Sequence, residues 1–294
     1  MAIITQIQGG LGNQLFQYAT ARALAEQYRL DLILDIDWYQ NSYHEVTPRS
    51  FELSKFAIKA SVAGSYPRVP RLSRWRNALQ SLLPLQPFIL EEKKHYTFDK
   101  RVNQLSLFKD QNLYLRGYWQ SYKYFENIQN LLRLELSLNQ GLDPVYDSYL
   151  DPISRAGSTM LHVRRGDYVH LAAASKVHQV VDIEYYQAAM QKALNIQENT
   201  HFFVFSDDLP WAKANLPFQE KLTFIEGTPT HDDVIQELAL MRACQNHIIA
   251  NSSLSWWGAW LKDRQDGFVI APSRWINNHS ASVDDLLPPQ WLRL

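Results

Sequence analysis

The run His162-Val-Arg164-Arg165-Gly-Asp167-Tyr168 sets two adjacent arginines directly after a β-rich stretch. Arginine suits a diphosphate, because its planar fork makes bidentate charge-assisted hydrogen bonds and it keeps its proton. Successive side chains alternate across an extended chain, so the two arginines should have different partners. One is expected on a departing phosphate and the other on a structural carboxylate such as Asp167. Two more polar clusters follow β-rich runs in the same half, Ser206-Asp207-Asp208 and Asn251-Ser252-Ser253. Hydroxyls and backbone N–H groups in a loop entering a helix near Ser255 form an anion site, since unpaired first-turn N–H groups and the helix dipole favour negative charge. A carboxylate at the neighbouring strand end can accept hydrogen bonds from guanine or from ribose hydroxyls. Singly, Ser206, Asp207 and Ser253 also read as helix caps. Three such clusters on one sheet edge point together to a nucleotide.

The first half offers weaker signals. Gly9-Gly10-Leu11-Gly12-Asn13-Gln14 follows a strand and opens a helix, but it lacks the GxGxxG spacing of a dinucleotide site and the Lys-Ser/Thr ending of a P-loop. It says only that backbone approaches something closely. Asp35-Ile36-Asp37 formally matches the acidic pair that holds Mn²⁺ or Mg²⁺ against a diphosphate, reads equally as strand-end capping, and offers candidate general bases. In Gly117-Tyr118-Trp119-Gln120 the tryptophan face suits stacking on a sugar, and core packing explains the same aromatics. The nine histidines show no HxxxH or Cys-His spacing for zinc.

The elements that must position these residues follow from the hydrophobic pattern. In the second half, strands are expected at 159–163, 201–205, 222–225, 247–250 and 268–271, with helices near 184–197, 209–215, 232–244 and 254–263. Strands separated by helices of this length imply a doubly wound parallel sheet. The first half opens alike, with a strand at 2–7, a helix from about Asn13 to Tyr28 and a strand at 32–36. The rhythm then breaks until a helical segment around 121–137. Pro144, Pro152 and two glycines place a domain boundary near Gly141–Gly157, giving domains 1–150 and 151–294.

At 294 residues the chain is long enough for two domains, at about 100 to 200 residues each. Hydrophobic residues at 46% and charged residues at 20% exclude a disordered chain. With 29 Lys and Arg against 30 Asp and Glu, no global positive field gathers nucleic acid, so an anionic ligand must be held locally. The single cysteine, Cys244, excludes an internal disulfide. The N-terminus lacks the features of a signal peptide, and no apolar run reaches the roughly 18 residues of a membrane span, so a soluble, cytoplasmic chain is expected. From Lys55 to Leu90 there is no acidic residue, while Lys55, Lys59, Arg68, Arg71, Arg74 and Arg76 lie among Pro, Trp and Leu. That segment reads as a solvated insertion or as a peripheral contact with anionic lipid headgroups at the inner membrane. The richness in Trp and Tyr leaves a non-catalytic carbohydrate-binding protein as a further reading.

The stretch His162–Asp167, the opening Gly9-Gly-Leu-Gly-Asn-Gln-Leu-Phe-Gln-Tyr-Ala19 and the segment Ile249-Ala-Asn-Ser-Ser-Leu-Ser-Trp-Trp-Gly-Ala-Trp260 resemble, in order and over nearly the whole chain, the α-1,2-fucosyltransferase family. The first two also resemble, more distantly, protein O-fucosyltransferases and α-1,6-fucosyltransferases. The resemblance implies an α/β, GT-B-like chain of two Rossmann-like domains facing a cleft. It further implies a bacterial enzyme that transfers L-fucose from GDP-fucose, with inversion and without metal or cofactor, to the 2-hydroxyl of galactose in a glycan. By the same resemblance Arg164 meets the pyrophosphate, supported by His162, Asp167 and Arg165. Asp207, Asp208 and Glu237 would serve the nucleoside, Ser252 and Ser253 the phosphates, and Asn13 the sugar–phosphate link. Gly10, Gly12, Gln14, Ser206, Asn251 and Ser255 would complete the donor site. Asp35, Asp37, Tyr118 and Trp119 are the candidates on the acceptor side. Between about 40 and 115 the chain carries none of these motifs.

Overall fold

The computed structural model describes residues 1–40, 49–63, 87–103, 111–165, 181–227, 233–276 and 282–294. The chain divides into two compact units, Met1–Ser137 and Leu138–Leu294.

The first unit is built on five parallel strands: β1 (Ala2–Gln6), β2 (Asp31–Asp35), β3 (Ser61–Ala63), β4 (Phe88–Glu91) and β5 (Leu113–Arg116), in the order β3-β2-β1-β5-β4. Apolar β1 is central, and Ile3, Ile4 and Thr5 are buried, as expected of a parallel strand covered on both faces. Helix α1 (Leu11–Tyr28) follows it and is buried along most of its length, with Ala19, Ala21, Ala23 and Ala25 allowing close approach. Two of its polar side chains share one buried partner: Arg22 makes a bidentate contact with Glu135 at 3.0–3.1 Å, and the Tyr18 hydroxyl donates to the same carboxylate at 2.5 Å. Glu135 ends helix α2 (Gln129–Glu135). The sequence pattern placed one helix over 121–137. Two 3-10 turns, Tyr122–Tyr124 and Glu126–Ile128, precede α2 instead.

The second unit has six parallel strands: β6 (Ser158–Val163), β7 (His201–Ser206), β8 (Leu222–Phe224), β9 (Asn246–Ile248), β10 (Val269–Ala271) and β11 (Leu292–Arg293). Their order is β8-β7-β6-β9-β10-β11, the doubly wound arrangement whose direction reverses between β6 and β9. Helices α3 (Pro144–Asp147), α4 (Leu150–Ser154), α5 (Ile183–Ile196), α6 (Leu209–Asn215), α7 (Asp233–Ala243) and α8 (Ser253–Trp260) accompany the sheet. Asp182 caps α5 by accepting the Tyr185 N–H at 3.0 Å, and Tyr185, Tyr186, Ala189, Met190 and Ala193 form its buried stripe.

The second unit begins at Leu138, and within the breaker-rich stretch 141–157 Pro144 opens its helix α3. Asp143 caps α3 through the Val145 N–H, Pro144 opens it, and the Asp143 N–H donates to Gln236 of α7. Six of the eight tryptophans among the described residues are buried: Trp119, Trp256, Trp257, Trp260, Trp275 and Trp291. Trp256 stacks on Trp260, packs on Trp291 and donates its indole N–H to the Leu286 carbonyl. The aromatic richness is therefore largely core packing, which removes the main support for a carbohydrate-binding surface built of tryptophan. Among the described residues no helix is long and apolar enough to cross a membrane. The membrane-contact reading rests mostly on 64–86, outside the described residues. Of its cations, Lys55 pairs with Glu52 at 3.3 Å.

Candidate functional site

Because all strands of the second sheet are parallel, the loops after β6, β7 and β9 leave one edge, side by side. The reversal between β6 and β9 opens a crevice at that edge where such sheets bind ligands. Arg164 and Arg165 leave β6, and both are tied to the loop after β7. Arg164 Nη1 lies 3.0 Å from Asp207 Oδ2, and the Arg165 N–H donates to Asp207 Oδ1 at 2.9 Å. The Arg165 guanidinium sits 3.9 Å above the Trp211 ring of α6 and 3.5 Å from Asp208 Oδ2, an ionic contact without hydrogen-bond geometry. The two arginines thus take different partners, as alternation required, but the structural carboxylates come from Asp207 and Asp208. Asp167 lies outside the described residues.

Asp208 caps α6 by accepting the Trp211 N–H at 3.1 Å, and its own N–H donates to Ser206 Oγ at 3.0 Å. Asp207 and Asp208, expected at the nucleoside, therefore also hold the arginine loop in place. Glu237 lies half-buried in the second turn of α7.

Across the reversal, Asn251 is buried and donates to the Trp275 carbonyl at 3.1 Å, which pins the loop between β9 and α8. Ser252 is the N-cap of α8 without a side-chain capping bond, and the first turn holds no acidic residue. The first helical bond is Trp256 N–H to the Ser252 carbonyl, so the N–H groups of Ser253, Leu254 and Ser255 precede the intrahelical ladder. These groups form a helix N-terminus suited to an anion beside the arginine loop. Ser255, expected at the donor, is fully buried and turns its hydroxyl back to the Ala250 and Ser252 carbonyls.

His162 is buried on β6, and its Nδ1 has no partner among the described residues. Burial, reinforced by Arg164, holds its pKa down to about 3. His247 on β9 is likewise held at about 3 by burial and Lys262, against the opposing hydrogen bond to the Met241 carbonyl. Both are neutral when folded, whereas the unfolded chain takes up these protons near pH 6.5. The unfolded state binds more protons below that pH, so stability should fall as the pH drops from about 6.5 toward 3. The slope is about 1.4 kcal/mol per pH unit for each histidine. Urea midpoints measured between pH 7 and pH 5 should show it, and His162→Gln should remove about half of this contribution. A flat midpoint over that range would contradict the burial argument.

In the first unit the matching edge gathers the glycine loop, the Asp35 turn and the residues after β4 and β5. Gln120 Nε2 donates to Asn13 Oδ1 at 2.9 Å, joining two motifs far apart in sequence. Gly10 is the N-cap of α1, with no side-chain capping bond. Gly12 lies within the first turn of α1 and is buried. Gln14, expected at the donor, is fully buried: its amide donates to the Gly9 and Ser50 carbonyls and accepts the Glu52 N–H. It shapes the loop. Asp35 is buried and accepts the Tyr114 hydroxyl at 2.5 Å and the Asp37 N–H at 3.0 Å, so it closes the strand end; burial and Asp35 push the Tyr114 hydroxyl pKa up. Asp37 opens a 3-10 turn, and Tyr39 in that turn donates to the Gly9 carbonyl at 2.8 Å. Trp119, expected to stack on a sugar, is fully buried against Tyr124 and has no open face. Tyr118 remains half-buried beside His95.

Sequence reasoning gave Gln120 no role of its own and missed Trp211 and the Glu92–His95 pair. For that pair the available signal was Glu-Lys-Lys-His directly after the β-rich Phe-Ile-Leu-Glu.

The chain matches the description Glycosyl transferase family 11 over residues 2–294. It is 32% identical to an Escherichia coli alpha-1,2-colitosyltransferase, covering 99% of this chain and 98% of that protein. It is 30% identical to the E. coli O-antigen biosynthesis glycosyltransferase WbnK, covering 98% and 99%. The galactoside alpha-(1,2)-fucosyltransferase 1 of Bos taurus is 25% identical, with 86% of this chain and 64% of that protein aligned. Among solved structures, the GDP complex of a point mutant of Arabidopsis thaliana FUT1 has a TM-score of 0.52 at 9% identity, covering 91% of this chain and 69% of that one. The GDP complex of POFUT1 has a TM-score of 0.50 at 10% identity, covering 92% and 97%. These two likenesses show the two-sheet α/β fold. With a match that runs from the first strand to the last residue, this chain belongs to glycosyl transferase family 11, the α-1,2-fucosyltransferase family.

Proposed function

We propose that this glycosyltransferase moves L-fucose from GDP-β-L-fucose to the 2-hydroxyl of a galactose residue in an acceptor glycan, with inversion and without a metal. The observation that carries the reading is that the loop bearing Arg164 and the loop that opens α8 leave the neighbouring strands β6 and β9 at the reversal of the second sheet. As the glycosidic bond breaks, negative charge grows on the leaving diphosphate. Fixed donors oppose that charge more strongly in the transition state than in the ground state. Converting a β-linked donor to an α-linked product takes one displacement, with no covalent intermediate. The use of Asp35 in closing its own strand end supports a reading in which the Asp35–Asp37 pair holds no metal.

The test is calorimetric titration with GDP, GDP-fucose, UDP and NAD in EDTA, followed by turnover with galactosides and determination of the product linkage. GDP and GDP-fucose should bind without metal and a 2-linked fucoside should form. Binding restored only by Mn²⁺, or no selection for GDP over UDP, would overturn the proposal.

One observation favours a second donor. The two E. coli relatives at 30% and 32% identity are named for O-antigen synthesis and colitosyl transfer, while the bovine fucosyltransferase stands at 25%. Colitose is fucose without its 3-hydroxyl. A site that hydrogen-bonds that hydroxyl should discriminate against the deoxy sugar by orders of magnitude, whereas an apolar pocket should not. Competition between the two GDP-sugars decides between them.

A further inference from the structure

At the end of the first sheet a buried carboxylate holds an exposed histidine. The Glu92 side chain is 2% exposed and accepts three hydrogen bonds: from the Tyr118 N–H at 2.8 Å, the Trp119 N–H at 3.1 Å and His95 Nδ1 at 2.9 Å. Burying a carboxylate is costly unless its lone pairs are satisfied, and here they are. The backbone around it is specialised. Gly117 has φ +153, and a Cβ there would lie 2.4 Å from Glu92 Cβ. Trp119 (φ 55) and Tyr96 (φ 59) are two of the four non-glycine residues with positive φ among those described. Such conformations are costly for residues with a side chain and cluster at functional sites. A surface histidine needs no such support to be stable.

The support fixes the chemistry of the ring. With Nδ1–H donated to Glu92, the neutral tautomer carries its lone pair on Nε2, which has no hydrogen-bond partner among the described residues; the His95 side chain is 60% exposed. The register of β4 against β5 brings His95 to 5.5 Å from Tyr118 between ring centroids, and the same β5 loop reaches Asn13 of the glycine loop through Gln120. Asp35 is withdrawn into the fold by its own bonds, so this edge offers His95 as an accessible base.

We infer that His95 is the general base for the acceptor hydroxyl and that Glu92 is the residue that positions it. This rests on the sugar-transfer reading above. His95 Nε2 takes the hydroxyl proton while that oxygen bonds the anomeric carbon. The anomeric C–O bond to the β-phosphate breaks, and its electron pair leaves with GDP. The imidazolium returns the proton to water. The groups facing His95 are Glu92 and Tyr96 on its own turn and Tyr118 from the end of β5. The hydrogen bond to Glu92 outweighs burial and raises its pKa, toward the pH at which a base is most effective.

The experiment compares His95→Gln, Glu92→Gln and the wild type for transfer, GDP affinity by calorimetry, and the pH profile of kcat/KM. His95→Gln should bind GDP like the wild type and transfer about 10²- to 10³-fold more slowly, with the acid limb of the profile abolished. Glu92→Gln should keep a limb, displaced to lower pH. His95→Gln turnover within threefold of the wild type would overturn the inference. So would equal losses of GDP affinity and transfer in that variant, since these mark a structural role. A wild type that binds no GDP would bring down the transfer reading itself.

Discussion

Arg164→Ala should lower kcat/KM by about 10²- to 10³-fold, as removal of a single preorganised donor to a developing oxyanion does. GDP affinity should fall with it, because in the proposed function the guanidinium meets a diphosphate that already carries its charge in the ground state. The fold should survive. The Arg164 and Asp207 side chains are each about a quarter exposed, and Asp207 keeps the Arg165 N–H when Arg164 is gone. An ion pair of this intermediate burial costs less to break than the roughly 3–5 kcal/mol of a fully buried one. A melting temperature close to the wild type together with lost turnover would therefore place the arginine on the ligand, whereas wild-type-like turnover would remove it from the mechanism. Arg164→Lys should fall between the two, since an ammonium keeps the charge but not the fork that can serve Asp207 and a phosphate at once.

The largest effect on stability should come from Glu135→Ala, at about 3–5 kcal/mol. Glu135 and Arg22 are both buried, and the carboxylate takes two guanidinium nitrogens and the Tyr18 hydroxyl. Burial and this carboxylate push the Tyr18 pKa well above its ordinary value, so the phenol stays protonated as a donor. Truncation would leave Arg22 with only the exposed Glu26 at 2.8 Å and a void between α1 and α2. Since α1 carries the glycine loop at its N-terminus, the first unit should unfold at lower urea concentration, while the GDP binding proposed for the second should be less affected. The combined Tyr18→Phe, Arg22→Leu, Glu135→Leu variant should recover much of the loss, because apolar groups of similar volume replace a buried ion pair at little cost. A change below about 1 kcal/mol in Glu135→Ala would show that Glu26 and water suffice for the arginine.

The division of the fold into what was and was not legible has a physical cause. Strands β6, β7, β9 and β10 are apolar runs bounded by polar loops, and each lies within a few residues of its expected position. In the first half, β3, β4 and β5 went unrecognised. They are Ser-Val-Ala, Phe-Ile-Leu-Glu and Leu-Tyr-Leu-Arg, too short to show a period, and pairing defines them as strands: β3 on β2, β5 on β1, and β4 on β5. The Glu92–His95 pair was hidden with them, since its meaning depends on β4 lying beside β5.

What the sequence by itself determined is the chemistry offered: two arginines after one strand, small polar clusters after two others, and a glycine loop opening a helix. Strand periodicity and parallel winding place the arginines and the polar clusters at the carboxyl ends of the second sheet, and the glycine loop at that of the first, without further information. Which groups remain open to a ligand was decided only by tertiary structure. Gln14, Ser255, Asp35 and Trp119 have the right types at suggestive positions, yet the fold uses them internally, as loop clamp, helix back-bond, strand-end closure and core ring. Burial and hydrogen-bond saturation belong to neighbours distant in sequence, such as Ser50 for Gln14 and Tyr114 for Asp35. Local pattern cannot encode those neighbours, because a polar side chain is available for binding only when no part of the folded chain has already taken its donors and acceptors.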